Sequence, residues 1–224
     1  MKNYRFRLLV LAFFANYFLF QPLVFSQTQD EQFEKEVAEL VEKYNALGWK
    51  KGSVVFTGSS SIRLWKDLET GFPEYPIINT GFGGSQTHHL LTHLEPLVIR
   101  YEPATVFIYE GDNDINAGKS VQEIINTMDK VVRKISKENA EVQIHLISTK
   151  PSPSRWKLKD NYLALNKALS DYAEGRKKVT YIEVWKPMIG QDGRPIPAYY
   201  AADSLHLSDQ GYKLWEEIIS KYLP

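Results

Sequence analysis

The chain contains no cysteine. That absence excludes a disulfide scaffold, a thiolate zinc site, an iron–sulfur cluster, a cysteine nucleophile and a lipidated-cysteine anchor. There is no surplus of either charge: 27 Lys and Arg stand against 27 Asp and Glu. A neutral chain has no electrostatic footprint for nucleic acid, so no nucleic-acid partner is expected. No apolar run reaches the ~20 residues that span a bilayer. What remains is a 224-residue chain with 43% hydrophobic residues, enough for one domain with a proper core and too much for wholesale disorder.

The N-terminus is distinct from the rest. Residues 1–26 carry Lys2, Arg5 and Arg7 and no acid. Leu8 to Phe20 is an apolar run broken only by Asn16. Gln21 and Pro22 end it, and Val24-Phe25-Ser26 follows. A basic start, a short apolar middle and a small-residue end describe a secretory leader over residues 1–26. The alternative is a retained anchor, and both readings export residues 27–224, expected as a single domain. Without the three leader bases, 24 basic groups face 27 acidic ones, a net charge of −3. A disulfide-free exported chain fits a secreted or periplasmic protein of a bacterial envelope. After cleavage no stable membrane insertion is expected.

Asp30 can cap a helix running to Leu47, with Phe33, Val37, Leu40, Val41 and Tyr44 on one face. Five β-branched or aromatic runs follow, at 53–57, 76–79, 104–109, 142–147 and 179–184, the first three each closed by glycine. Helical periodicity separates them, over 87–100, 121–137 and 162–172, and again over 208–223. Strands alternating with helices predict an α/β layer with a mainly parallel sheet. Continuous apolar strands imply that both sheet faces are covered. In such a sheet, ligands bind beyond the carboxyl ends of the strands.

Four polar segments fall near those ends. They are Gly58-Ser59-Ser60-Ser61, Gly81-Phe82-Gly83-Gly84-Ser85, Gly111-Asp112-Asn113-Asp114 and, before the last helix, Asp203-Ser204-Leu205-His206. Taken singly, each has a bland explanation as a cap or turn. The glycine loop is not a dinucleotide fingerprint, because Gln86 stands where the third glycine belongs, and no phosphate-cradling Gly-Lys-Ser/Thr follows. The Asp112-Asn113-Asp114 run lacks the spaced ligands of a calcium loop. Together the segments supply a serine, donors for an oxyanion, and an Asp three residues before a His. Ester hydrolysis by serine needs these groups: a base, a carboxylate to orient it and donors at the developing charge.

With these blocks in this order, residues 50–224 resemble the SGNH hydrolases, the GDSL-type esterase/lipase superfamily. The blocks are Val54 to Trp65, Asn79 to Ser85, Gly111 to Asp114, and Asp203 to Tyr212. The resemblance implies a three-layer α/β/α sandwich with a flavodoxin-like five-stranded parallel sheet. It implies Ser60 as nucleophile and Asp203 and His206 as its partners. Gly84, Asn113 and the Ser60 backbone N–H would form the oxyanion hole. Ser59 departs from the pattern, standing where an acid is common. Ser59 and Ser61 remain alternatives for the nucleophile.

Other residues invite a role. His88 is near the glycine loop, and Tyr199 and Trp156 flank the later blocks; all three are candidates for substrate contact. Trp65 and Trp215 read as core, and His145 as structural. His89 and His93 have helical spacing but no metalloprotease Glu, so no metal is expected. Glu110 and Asp112 would make the cleft rim acidic. The expected protein is an exported serine esterase for short acyl esters, acetyl above all, on a small molecule or glycan, without cofactor. A lysophospholipase or general short-chain esterase, an acyltransferase and a non-catalytic glycan-binding module are the rivals.

Overall fold

The computed structural model describes residues 31–224; the expected leader lies outside them. The chain divides into two compact units, residues 1–39 and 40–224. Helix α1 covers residues 31–47, so the described part of the first unit is helical. The second unit carries the sheet.

Five strands form that sheet: β1 (Val54–Gly58), β2 (Ile77–Gly81), β3 (Thr105–Tyr109), β4 (Gln143–Ile147) and β5 (Val179–Ile182). Their order is β2-β1-β3-β4-β5, and every pairing is parallel. Helices cover both faces, giving the flavodoxin-like α/β/α sandwich that the sequence predicts. Every residue of β1 and β3 is buried, as befits strands sandwiched between helical layers. Phe56 and Phe107 stack at 4.3 Å between these two central strands, and Trp65 meets Trp215 edge-on at 6.1 Å. Both tryptophans are core residues.

The strand order reverses between β1 and β3, and at such a point the loops leaving the sheet part to open a crevice. Gly58 ends β1 opposite Gly81 on one side and Tyr109 on the other. Three polar blocks therefore emerge side by side.

Long helices follow the predicted periodicity. Helix α7 (Val121–Glu138) starts at a Ser120/Glu123 capping box and buries Ile124, Met128, Val131, Val132 and Ile135. Helices α8 (Lys159–Ala173) and α9 (Asp209–Ile219) also lie where expected. The predicted helix over 87–100 is instead broken into α4 (Thr87–Thr92), α5 (Leu94–Leu97) and a 3-10 turn, Ile99–Tyr101. Pro96 accounts for the break: it has no N–H to offer the Thr92 carbonyl, and its ring crowds that oxygen. Three short helices, α2 (Ser60–Arg63), α3 (Leu68–Gly71) and α6 (Asp112–Asn116), have no counterpart in the periodicity.

Candidate active site

The first strand ends in a turn that only glycine can make. Gly58 has φ of +121°, and a Cβ there would lie 2.1 Å from the Tyr109 carbonyl oxygen. The Ser59 N–H donates to that same carbonyl at 3.0 Å, which pins the turn to the end of β3. Ser59 is then the N-cap of α2, and Ser60 is its first residue. The three serines separate by environment. Ser59 and Ser61 are buried and Ser60 is half-buried. Only Ser60 faces a base: its Oγ is 3.1 Å from His206 Nε2.

The other imidazole nitrogen, Nδ1, is 2.5 Å from Asp203 Oδ2. Asp203 Oδ1 accepts the backbone N–H groups of Leu205 and His206, both at 2.9 Å. The Leu205 amide, then the His206 ring and amide, lower the Asp203 carboxyl to about 2. Asp203 is thus an anion at neutral pH. A proton on Nδ1 leaves the Nε2 lone pair directed at Ser60, the arrangement a general base requires. The loop gains its bend at Ser204, which sits at φ +58°. This is an uncommon region for a residue with a side chain. The Ser204 carbonyl is fixed by Ser154 N–H at 3.2 Å.

Two further blocks converge on the serine turn. Gly84 has φ of +80° and nothing within 4 Å of where a side chain would project. Asn113 lies in α6, and its Nδ2 donates to Ser59 Oγ at 2.7 Å and to the Ser85 carbonyl at 2.8 Å. The glycine loop is tied to α6 through Asp114, whose Oδ2 accepts both the N–H of Thr87 (2.9 Å) and its hydroxyl (3.2 Å). The candidate oxyanion donors are therefore linked by hydrogen bonds rather than left on independent loops.

The family model described as GDSL-like Lipase/Acylhydrolase matches residues 46–214. The chain belongs to this family. It is an SGNH/GDSL-type ester hydrolase. No curated protein sequence matches it. Solved structures share its fold at low identity. A chain from Streptococcus pneumonia, provisionally described as a platelet activating factor, has a TM-score of 0.77 and 23% identity. That match covers 90% of this chain and 99% of that one. A GDSL-like lipase from Bacteroides thetaiotaomicron has a TM-score of 0.70 and 22% identity, covering 81% and 96%. An acetyl-xylooligosaccharide esterase mutant from Geobacillus Stearmophilus has a TM-score of 0.61 and 17% identity, covering 77% of this chain and 94% of that one.

Behind Asn113, this GDSL-like acylhydrolase holds a buried charge cluster. Lys150 Nζ donates to Asp112 Oδ2 at 2.9 Å, and Arg155 NH1 to Asp112 Oδ1 at 2.6 Å. Tyr162 donates to Asp112 Oδ1 at 2.8 Å. Burial alone would raise the Asp112 carboxyl, but the Lys150 ammonium and the Arg155 guanidinium outweigh it. They hold the group well below the usual carboxylate range. Glu110 is also buried, accepting the Ser85 hydroxyl at 2.6 Å. Desolvation, then the nearby Asp114 charge, pushes its carboxyl well above the ordinary range. The expected acidic rim is therefore corrected. Glu110 and Asp112 are both buried, Glu110 against the Ser85 hydroxyl and Asp112 against Lys150 and Arg155, so neither forms an exposed acidic rim.

The remaining candidates are more dispersed. His88 is exposed, with Nδ1 2.7 Å from Lys119 Nζ. Trp156 is half-buried, stacked on Trp185 at 6.0 Å and flanked by Lys159 and Arg194. Tyr199 packs partly against the core, and its carbonyl accepts the Ser208 N–H at 3.0 Å. None of the three is hydrogen-bonded to Ser60, Asp203 or His206 by its side chain. His89 caps α4 by accepting the Gln86 N–H, while His93 meets Phe82 edge-on; the two have separate structural tasks. Sequence reading missed Lys150 and Arg155, which belong to no recognisable motif and meet Asp112 and Asn113 only through the fold. Ser85 lies within the glycine block, which by itself gives it no role; its carbonyl accepts from Asn113 Nδ2.

Proposed function

We propose that this acylhydrolase is an exported serine esterase that removes short acyl groups, acetyl above all, from carbohydrates. The observation that carries the reading is His206, held by Asp203 on one nitrogen and within 3.1 Å of Ser60 Oγ on the other. Ser60 Oγ attacks the ester carbonyl while His206 Nε2 takes its proton. The Ser60 and Gly84 N–H groups and the Asn113 side chain hold the oxyanion. His206 returns the proton to the departing alcohol, leaving acyl-Ser60. Water, activated by the same imidazole, then releases the carboxylic acid and restores Ser60.

A depression of about 390 Å³ beside His206, with charged and aromatic walls, supports a hydroxyl-rich substrate. Trp65, Lys66, Asp67, Asp209, Tyr212 and Lys213 contribute to its walls. Charged and aromatic groups together suit a sugar better than a fatty chain. Among the described residues, the exposed large apolar side chains are Leu47 and Leu163, too few for an acyl-chain groove. The Geobacillus relative in fold is itself an acetyl-xylooligosaccharide esterase. Export rests on the basic-then-apolar pattern of residues 1–26. It predicts a mature protein beginning near Gln27, checked by N-terminal sequencing of the secreted or periplasmic fraction.

The substrate is tested with p-nitrophenyl esters from acetate to laurate, alongside acetylated xylan and acetylated peptidoglycan. Highest kcat/KM on acetate, with acetate released from a polysaccharide, is the expected result. Preference for octanoate or longer contradicts it, as does acyl transfer to an added alcohol in place of hydrolysis.

A further inference from the structure

Arg155 lies in the Pro-rich loop after β4, outside the four sequence blocks. Its NH1 and NH2 groups both donate to Asn113 Oδ1, each at 3.1 Å. The same NH1 is anchored on the Asp112 carboxylate at 2.6 Å. The Arg155 side chain is 15% exposed and its Asp112 partner 6%, so these contacts act in a medium of low polarity. The geometry points to Arg155 as the positioning residue that orients and polarises the oxyanion-hole amide of Asn113. The inference rests on the proposed role of Asn113 as an oxyanion donor.

Two effects follow from the contact. An amide can be turned end for end with little change in shape, which would place Oδ1, an acceptor, toward the reacting oxygen. Two guanidinium donors on Oδ1 forbid that flip, because they require an acceptor on their side. Nδ2 is thereby directed at Ser59 Oγ and the Ser85 carbonyl, toward the serine turn. The second effect is electronic. A cation on the amide oxygen draws density from nitrogen and makes the Nδ2 hydrogens better donors to a developing negative charge. Asp112 does not cancel the field, because Lys150 also binds it: one anion faces two cations. The surplus positive charge lies directly behind the amide.

The test is a double-mutant cycle of Arg155→Ala and Asn113→Ala, read on p-nitrophenyl acetate. Arg155→Ala should lower kcat by about ten- to thirtyfold, below the 10²–10³ lost with a whole oxyanion donor, and leave KM within about twofold. In the Asn113→Ala background the same change should have almost no further effect, because the residue acts through Asn113. Arg155→Lys, which keeps charge but not the fork, should fall between, and millimolar guanidinium should restore part of the Arg155→Ala rate. Thermal unfolding identifies a misfolded variant; if Arg155→Ala fails to fold, the cycle is run with Arg155→Lys. A loss that persists undiminished in the Asn113→Ala background overturns the inference, as does a change in KM alone. If Asn113→Ala itself leaves kcat unaltered, the oxyanion role of Asn113 fails and this inference with it. A loss with Asn113→Ala but none with Arg155→Ala removes the inference alone.

Discussion

The Asn113 side-chain nitrogen donates to the Ser59 hydroxyl at 2.7 Å, one residue before the serine that His206 reaches. Ser59 is thereby an anchor for the amide, and Ser60 is left as the group facing the base. Asn113 keeps its other partners, Ser85 and Arg155, when the Ser59 hydroxyl is removed. Ser59→Ala should therefore reduce kcat by less than about tenfold. Ser60→Ala should lose at least about 10³-fold, the scale seen when a triad member is removed. Steady-state rates of the two purified variants decide between the adjacent serines.

Asp203→Asn tests the orientation of the base. The amide can no longer accept the Nδ1 proton as a charged partner, so the imidazole is free to take the wrong tautomer. A fall in kcat of about 10²–10⁴ is expected. Asp203 sits near 2 because backbone amides and His206 favour its charged form. Most of its charge persists down to about pH 3, so protonation of Asp203 should contribute little to the wild-type profile between about pH 3 and 5. The kcat/KM profile measured over that range checks this.

His145 should contribute to the loss of stability in acid. It is stacked on Phe107 at 4.5 Å, and its burial lowers the ring to about 4. An unfolded histidine binds its proton near 6.5. Between these values the unfolded state holds more protons, so stability is lost as pH falls from about 6.5 to 4. The loss from this ring is on the order of 2–3 kcal/mol. His145→Phe should remove it, narrowing the gap between urea midpoints at pH 7 and pH 4.5.

Glu110 should act in the opposite direction. Burial, then the Asp114 charge, raises its carboxyl, so the folded protein keeps a proton that the unfolded chain releases. Stability contributed by that proton is present at low pH and is lost as pH rises. Glu110→Gln preserves an acceptor for the Ser85 hydroxyl without a titratable group. Its melting temperature should exceed that of the wild type at pH 8 by more than at pH 5. Equal differences at both values would show that Glu110 does not titrate between them.

The strands were legible because each concentrates β-branched, aliphatic or aromatic residues, the first three closed by glycine. Ser60, Asn113 and His206 were legible because each sits in a short block at a strand end or before the last helix. Short helices such as α2 and α6 were not, since four or five residues cannot display a helical period. The acidic rim was misread for a related reason. Nothing near Asp112 in sequence announces Lys150 or Arg155, which are 38 and 43 residues away. Burial and pairing depend on such distant partners, so the sign of a local charge run says little about the charge of a cleft.

In the proposed mechanism Ser60 is the nucleophile of a His206-driven esterase. That role is tested most directly by treating the protein with a fluorophosphonate and mapping the adduct by mass spectrometry. One phosphonyl group on Ser60, absent from Ser60→Ala and strongly slowed in His206→Ala, is the predicted result. An adduct on Ser59 or Ser61, or undiminished labelling of Ser60→Ala, would contradict the account.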